Sequence, residues 1–143
     1  MAQTQQSTME TAQRAFGHFT QGMGTGEWDP FLEMLADDFS FWFPVGQYQG
    51  ENVGKARADA FFKYASEAFN NELAVTLDGV TSNETTVVFE IRSQGHLRGK
   101  PYQNRGAIAF DVCSDKICRY REYLSVVVQP KVESHPDQSQ PIG

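Results

Sequence analysis

Apolar residues recur along the chain at two different periods, and the period changes near residue 70. Before that point Met9, Ala12, Phe16 and Phe19 follow helical spacing, which predicts an amphipathic helix over 8–21. Ser7 and Glu10 have the S-x-x-E spacing of a capping box at its start, and Gly22 is suited to end it. Asp29-Pro30 reads as an N-cap and first helical position, with Phe31, Leu32, Met34 and Leu35 forming a short second helix. Residues 38–43, dense in aromatics, read as a strand stopped by Pro44 and Gly46, and a third helix is expected over 52–69. Beyond residue 70 the alternation has a period of two: Leu73, Val75 and Leu77 against Ala74, Thr76 and Asp78. Three further strands follow in "TTVVFEIRSQGHL", "PYQNRGAIAFDVC" and "KICRYREYLSVVVQ".

Helices first and hairpin-linked strands afterwards predict an α+β fold, a helix layer on one face of a mostly antiparallel sheet. The 143 residues, 40% of them hydrophobic, suit a single domain with one core. Its ordered part is expected over about 8–128, with a polar, proline-bearing tail at 129–143 expected to be disordered. The net charge of −6 and the scattered Lys and Arg argue against nucleic-acid binding. No apolar run has transmembrane length and "MAQTQQST" lacks the features of a signal peptide, so no membrane partner and a cytoplasmic location are expected. Cys113 and Cys118 face each other if Asp115-Lys116 is a hairpin turn, but a reducing compartment favours free thiols. His18, His96 and His135 lie far apart, and the cysteine spacing lacks the paired ligands of a zinc site; no metal is expected. "GMGTG" lacks the spacing of a dinucleotide loop. "GENVGKA" lacks a residue between its glycines and a hydroxyl after Lys55, so it is not a phosphate loop.

Three stretches carry candidate chemistry. In "LADDFSFWFPVG", Phe39 or Phe41 suits packing against helices, while Trp42 and Phe43 suit a pocket wall, with Phe61, Phe62 and Tyr64 of the third helix opposite. In "PYQNRG", Tyr102 and Asn104 share a face and could orient a ligand carbonyl, or could instead pack a strand start and satisfy loop backbone. Strand parity places Glu90 and Arg92 on one face with Val88, and Tyr120, Glu122 and Leu124 together on another strand. Charge alone would leave Glu90, Arg92 and Glu122 in water.

The order of elements, with "EWDPFLEMLADDFSFWFPVG", "YQGENVGKA" and "GKPYQNRGAIAFDVCSDKICRYREYL", resembles the nuclear transport factor 2-like superfamily, in its SnoaL-like and ketosteroid isomerase-like branches. The resemblance spans about residues 8–128. It implies a cone-shaped roll in which a strongly curved sheet wraps the helices, an apolar pocket at the open end, and a homodimer through the outer sheet face. The Asp–Arg–Asp set of limonene epoxide hydrolases aligns on Glu90, Arg92 and Glu122, with the Arg and first acid exchanged. If all three pointed inward, Arg92 would lie between two carboxylates. That arrangement would suit a general base or equally a structural ion cluster. The water-holding Tyr and Asn of those hydrolases fall near Ser40 and Trp42, and the ketosteroid isomerase base falls on Phe43, with its oxyanion donors near Ala15 and Gly106. Neither established residue set is retained. Many relatives end the last strand with "EYLD"; here it is "EYLS", leaving Glu122 as the best acid.

Two functions of different class follow. One is an enzyme without metal or organic cofactor, an isomerase, cyclase or dehydratase for a small apolar carbonyl compound. In it Glu122 is the acid or base, Arg92 tunes it or holds an anion, Glu90 is the third candidate catalytic residue, and Tyr102 with Asn104 polarises the carbonyl. The other is a non-catalytic ligand-binding or dimerising domain, favoured if Trp42, Phe43 and Phe62 fill the pocket.

Overall fold

The computed structural model describes residues 3–125. The expected disorder of 129–143 and the last residues of the predicted final strand lie outside the described residues. Helix α1 (Gln5–Thr25) is longer than its apolar spacing predicts at both ends. Thr4, not Ser7, is the N-cap: its hydroxyl accepts from the Ser7 amide, and the Ser7 hydroxyl accepts from the Thr4 amide. At the other end the helix runs through Gly22 and stops at left-handed Gly26 (φ 85°). Gly22 serves close packing instead, because a Cβ there would collide with the Trp28 indole. Helix α2 (Asp29–Leu32) is a single turn that buries Phe31.

Strand β1 (Leu35–Phe43) begins three residues before its predicted start. A 3-10 turn (Gly46–Tyr48) leads to β2 (Gly50–Val53), and α3 (Lys55–Ala68) follows left-handed Gly54. Residues 52–53, expected as helix, therefore belong to a strand that pairs with β1, with Ser40 opposite Val53. Local periodicity cannot report that β1 has a free edge to fill. The remaining strands are β3 (Ala74–Ser82), β4 (Thr86–Leu97), β5 (Lys100–Cys113) and β6 (Lys116–Leu124).

The sheet order is β2-β1-β6-β5-β4-β3. All neighbours are antiparallel except β1 and β6, which run parallel and join the first strand to the last. Register shifts in β1, β3 and β5 bend the sheet, as bulges do. The curved, unclosed sheet holds the helices against its inner face. The core there is mainly aromatic: Phe19, Phe31, Phe39, Phe41, Phe62, Phe89, Phe110 and Tyr120 are all at most 4% exposed. Trp28 donates its indole N–H to Ser66 Oγ at 2.9 Å, which satisfies a buried donor.

The cysteines correct an expectation. Cys113 and Cys118 form a disulfide across the β5–β6 hairpin, with their Cα atoms 5.8 Å apart. The turn at Ser114 and Asp115 holds them opposite each other.

Candidate functional site

Register decides which side chains face inward. In β4, Val87, Phe89 and Ile91 point to the helices; through the β4–β5 pairing they share that face with Phe110, Ile108 and Gly106. Through β5–β6 the same face continues to Tyr120, Glu122 and Leu124. Glu122, opposite Ile108, is thus inside, whereas Glu90, opposite Ala107, and Arg92, opposite Arg105, are on the outer face and exposed.

The aligned triplet therefore does not assemble. Arg92 does not lie between Glu90 and Glu122; its Nε donates to both carboxylate oxygens of Asp78 at 2.9–3.0 Å, on the solvent side. Asp78 also lies 3.8 Å from Arg105, and these cations hold its carboxyl below the ordinary range. The reason is parity: in β4, Glu90 and Arg92 alternate with apolar residues that the core claims. Trp42 is likewise outside. It pairs with Arg121 and packs on the outward Tyr123 ring at 5.4 Å.

The other predicted positions converge. A cavity of about 500 Å³ lies between α1, α3 and the inner sheet face. Phe43, Phe62, Tyr102, Asn104 and Glu122 all line it. Helix α1 contributes Phe19 and Met23, α3 contributes Phe61, Tyr64, Ala65 and Ala68, and the loop before β2 contributes Tyr48. Phe62 is fully buried and braced edge-on by Phe31 and Tyr120, so it forms the cavity floor without filling it. The wall is largely apolar, and Glu122 and Arg98 are its only charged side chains among the described residues.

Glu122 is the chemically distinctive group. Its Oε1 accepts a 2.5 Å hydrogen bond from the hydroxyl of Tyr120, two residues back on the same face. Burial among apolar side chains pushes its carboxyl from the ordinary 4.5 up to about 7, while the Tyr120 hydrogen bond pulls the other way. Tyr120 is fully buried. Its phenol is pushed well above the ordinary value by burial, then by the Glu122 charge and by its own hydrogen bond to that carboxylate. A carboxyl that changes protonation near neutral pH, at the wall of an apolar cavity, can both take and return a proton.

Tyr102 and Asn104 are adjacent on the same wall. The Asn104 amide donates to the Tyr102 hydroxyl at 3.0 Å, and its oxygen accepts from the Ser125 hydroxyl and amide. Since Tyr102 accepts here, its hydroxyl can also donate to a ligand oxygen. Its ring is held edge-to-face by Phe69 at 4.8 Å, and its phenol is pushed up, chiefly by burial. Ser125, the residue that departs from "EYLD", thus positions Asn104.

Sequence reasoning did not give roles to Tyr120 or Arg98. The first was legible in the i, i+2 spacing from Glu122. The second was legible in Arg98-Gly99, where a two-residue hairpin turn ordinarily favours Asn-Gly. Among the described residues no three His, Cys, Asp or Glu side chains converge as metal ligands. No helix among them is long and apolar enough to cross a membrane.

The family model of the SnoaL-like domain matches residues 16–120. Among solved structures, an NTF2-like protein from Anabaena variabilis ATCC 29413 is 56% identical, with a TM-score of 0.82 over 85% of this chain and 91% of that one. A candidate SnoaL-like polyketide cyclase from Jannaschia sp. CCS1 is 21% identical, with a TM-score of 0.72 over 85% of this chain and 87% of that one. The epoxide hydrolase/cyclase-like enzyme SalBIII, with a role in pyran ring formation in the polyether salinomycin, is 13% identical, with a TM-score of 0.68 over 83% and 94% of the two chains. The last two likenesses concern the fold alone. No curated protein matches the chain. With its family model covering most of the described residues and its inner face built as above, the chain belongs to the SnoaL-like domain family of the NTF2-like superfamily.

Proposed function

We propose that this protein is an isomerase, cyclase or dehydratase that needs no metal or organic cofactor and acts on an apolar carbonyl compound held in the inner cavity. The observation that carries this reading is Glu122: a carboxyl raised to about 7 at the wall of an apolar cavity of about 500 Å³. That volume suits a ligand of ordinary small-molecule size. Glu122 takes a proton from carbon next to the carbonyl and returns it elsewhere, while the Tyr102 hydroxyl, oriented by Asn104, donates to the carbonyl oxygen as negative charge develops there. Tyr120 holds the carboxylate in one orientation. Ring-forming chemistry named for structural relatives is compatible with such proton transfer.

The test is deuterium incorporation next to the carbonyl in a panel of apolar ketones and enones, followed by NMR. The wild-type rate should rise through about pH 7 as Glu122 ionises. Glu122→Gln should lose about 10²–10⁴-fold. Arg92→Ala, altered on the outer face, should exchange at the wild-type rate. Equal rates in wild type and Glu122→Gln would sink the catalytic reading and leave a binding domain.

The expected homodimer is proposed through the outer sheet face. There Trp42 and the 46%-exposed Tyr123 form an outward aromatic pair, and Val53, paired with Ser40 of the same strand as Trp42, is 70% exposed. Light scattering showing only monomer at micromolar concentration would overturn it.

A further inference from the structure

The cavity has two charged wall residues of opposite kind, and only one of them has a part in the proton transfer. Arg98 sits at the tip of the β4–β5 hairpin, where Leu97 pairs with Lys100 and the loop is Arg98-Gly99 alone. Both loop residues are left-handed, with φ 50° at Arg98 and 87° at Gly99. A turn of this kind favours Asn or Gly at its first position, and an arginine there is held in a conformation that costs a side-chain-bearing residue free energy. The tip is fixed from behind: the Arg98 amide donates to the Ala68 carbonyl at the end of α3, at 2.9 Å.

The guanidinium is held as well. It lies over the Tyr64 ring at 5.8 Å and donates through Nη2 to the Tyr64 hydroxyl at 3.2 Å. No carboxylate lies within salt-bridge distance of it among the described residues. Glu67 and Glu72 line a more open groove outside the hairpin, which Arg98 also lines, but among the described residues neither forms an ion pair with it. Arg98 is exposed and borders both spaces, so it stands on a solvent-facing rim of the apolar cavity. A planar cation with five donors, carried on a strained backbone and lacking an acidic partner, matches the geometry of a carboxylate.

We infer that the ligand of this cavity is an amphipathic acid, whose apolar body fills the aromatic interior and whose carboxylate is held at the mouth by Arg98 and the Tyr64 hydroxyl. This rests on the cavity being the working site, and it narrows the substrate class from apolar carbonyl compounds to those bearing an acid group at the end remote from Glu122. It also sets polarity: the anion binds at the rim, where water still reaches it, and only the apolar, reacting part meets the carboxyl inside.

The test compares straight-chain carboxylic acids from hexanoic to hexadecanoic with the corresponding primary amides, by calorimetric titration of the whole protein. Three proteins are used: wild type, Arg98→Asn and Glu122→Gln. Asn tolerates the left-handed backbone, so Arg98→Asn removes the guanidinium without breaking the turn, and an unchanged melting temperature verifies this. Wild type should prefer the best acid over its amide by about fivefold, equivalent to ~1 kcal/mol for a rim-exposed pair. That preference should weaken with salt, vanish in Arg98→Asn and persist in Glu122→Gln. The assignment is wrong if no acid at any chain length binds wild type more tightly than its amide, including the case in which nothing binds. It is also wrong if the preference survives in Arg98→Asn. Loss of deuterium exchange alone would count against the catalytic reading and not against this one, because the two are read in different assays.

Discussion

Replacing Glu122 by Gln should make the protein more stable in neutral and alkaline solution, although it removes the proposed catalytic group. In the unfolded chain this carboxyl loses its proton near 4.5; in the folded protein it does so near 7. Between those values the folded state keeps a proton that the unfolded state has released. Stability contributed by the protonated carboxyl is complete below about pH 4.5 and falls as pH rises to about 7. At ~1.4 kcal/mol per tenfold change in proton affinity, the gap corresponds to about 3 kcal/mol. Gln keeps the shape and can still accept the Tyr120 hydroxyl, but it does not titrate. The two proteins should therefore have similar stability near pH 4. At about pH 8 the variant should be more stable by up to ~3 kcal/mol, with a melting temperature higher by several degrees per kcal/mol. Urea unfolding followed by the fluorescence of Trp28, 2% exposed in the core, measures this across the pH range. Parallel stability curves for the two proteins from about pH 5 to 8 would refute the claim that burial controls this carboxyl.

Three further outcomes follow from the same packing. Tyr120→Phe removes the hydrogen bond that favours ionised Glu122, so the carboxyl should titrate above its present value of about 7; NMR of labelled glutamate carboxyl carbons reads this, and a downward move would contradict the assigned cause. Phe62→Ala should lower unfolding free energy by about 3–5 kcal/mol, since the fully buried ring meets Trp28, Phe31, Phe41 and Tyr120; a loss under ~1 kcal/mol in urea would mean that the floor of the cavity is not packed as described. Cys113→Ser should cost about 2 kcal/mol under oxidising conditions, as the disulfide closes a short loop with a sequence separation of 5, and the difference from wild type should disappear in reductant.

Some of this was set by neighbouring residues and could be read from the chain. The helical spacing of Met9, Ala12, Phe16 and Phe19 marks α1, and the alternation after residue 70 marks the strands. Within β6 the period of two already puts Tyr120 and Glu122 side by side on one face. These features depend on a few consecutive residues, because backbone geometry repeats locally whatever lies around it. Other features required the chain to meet itself. Gly22 lies inside a helix that runs on to Gly26, with the Trp28 ring packed against its bare Cα, and residues 50–53 extend because β1 offers them an edge. Glu90 and Glu122 are both acids in alternating strands, yet one faces water and the other a cavity. That difference comes from the registers of β4–β5 and β5–β6, which carry the apolar face of Phe89 and Ile108 onward to Glu122. The displaced proton affinity of Glu122 and the placement of Arg98 at the cavity mouth are of the same kind. Desolvation and charge proximity are properties of the surrounding volume, and that volume is enclosed by residues distant in sequence.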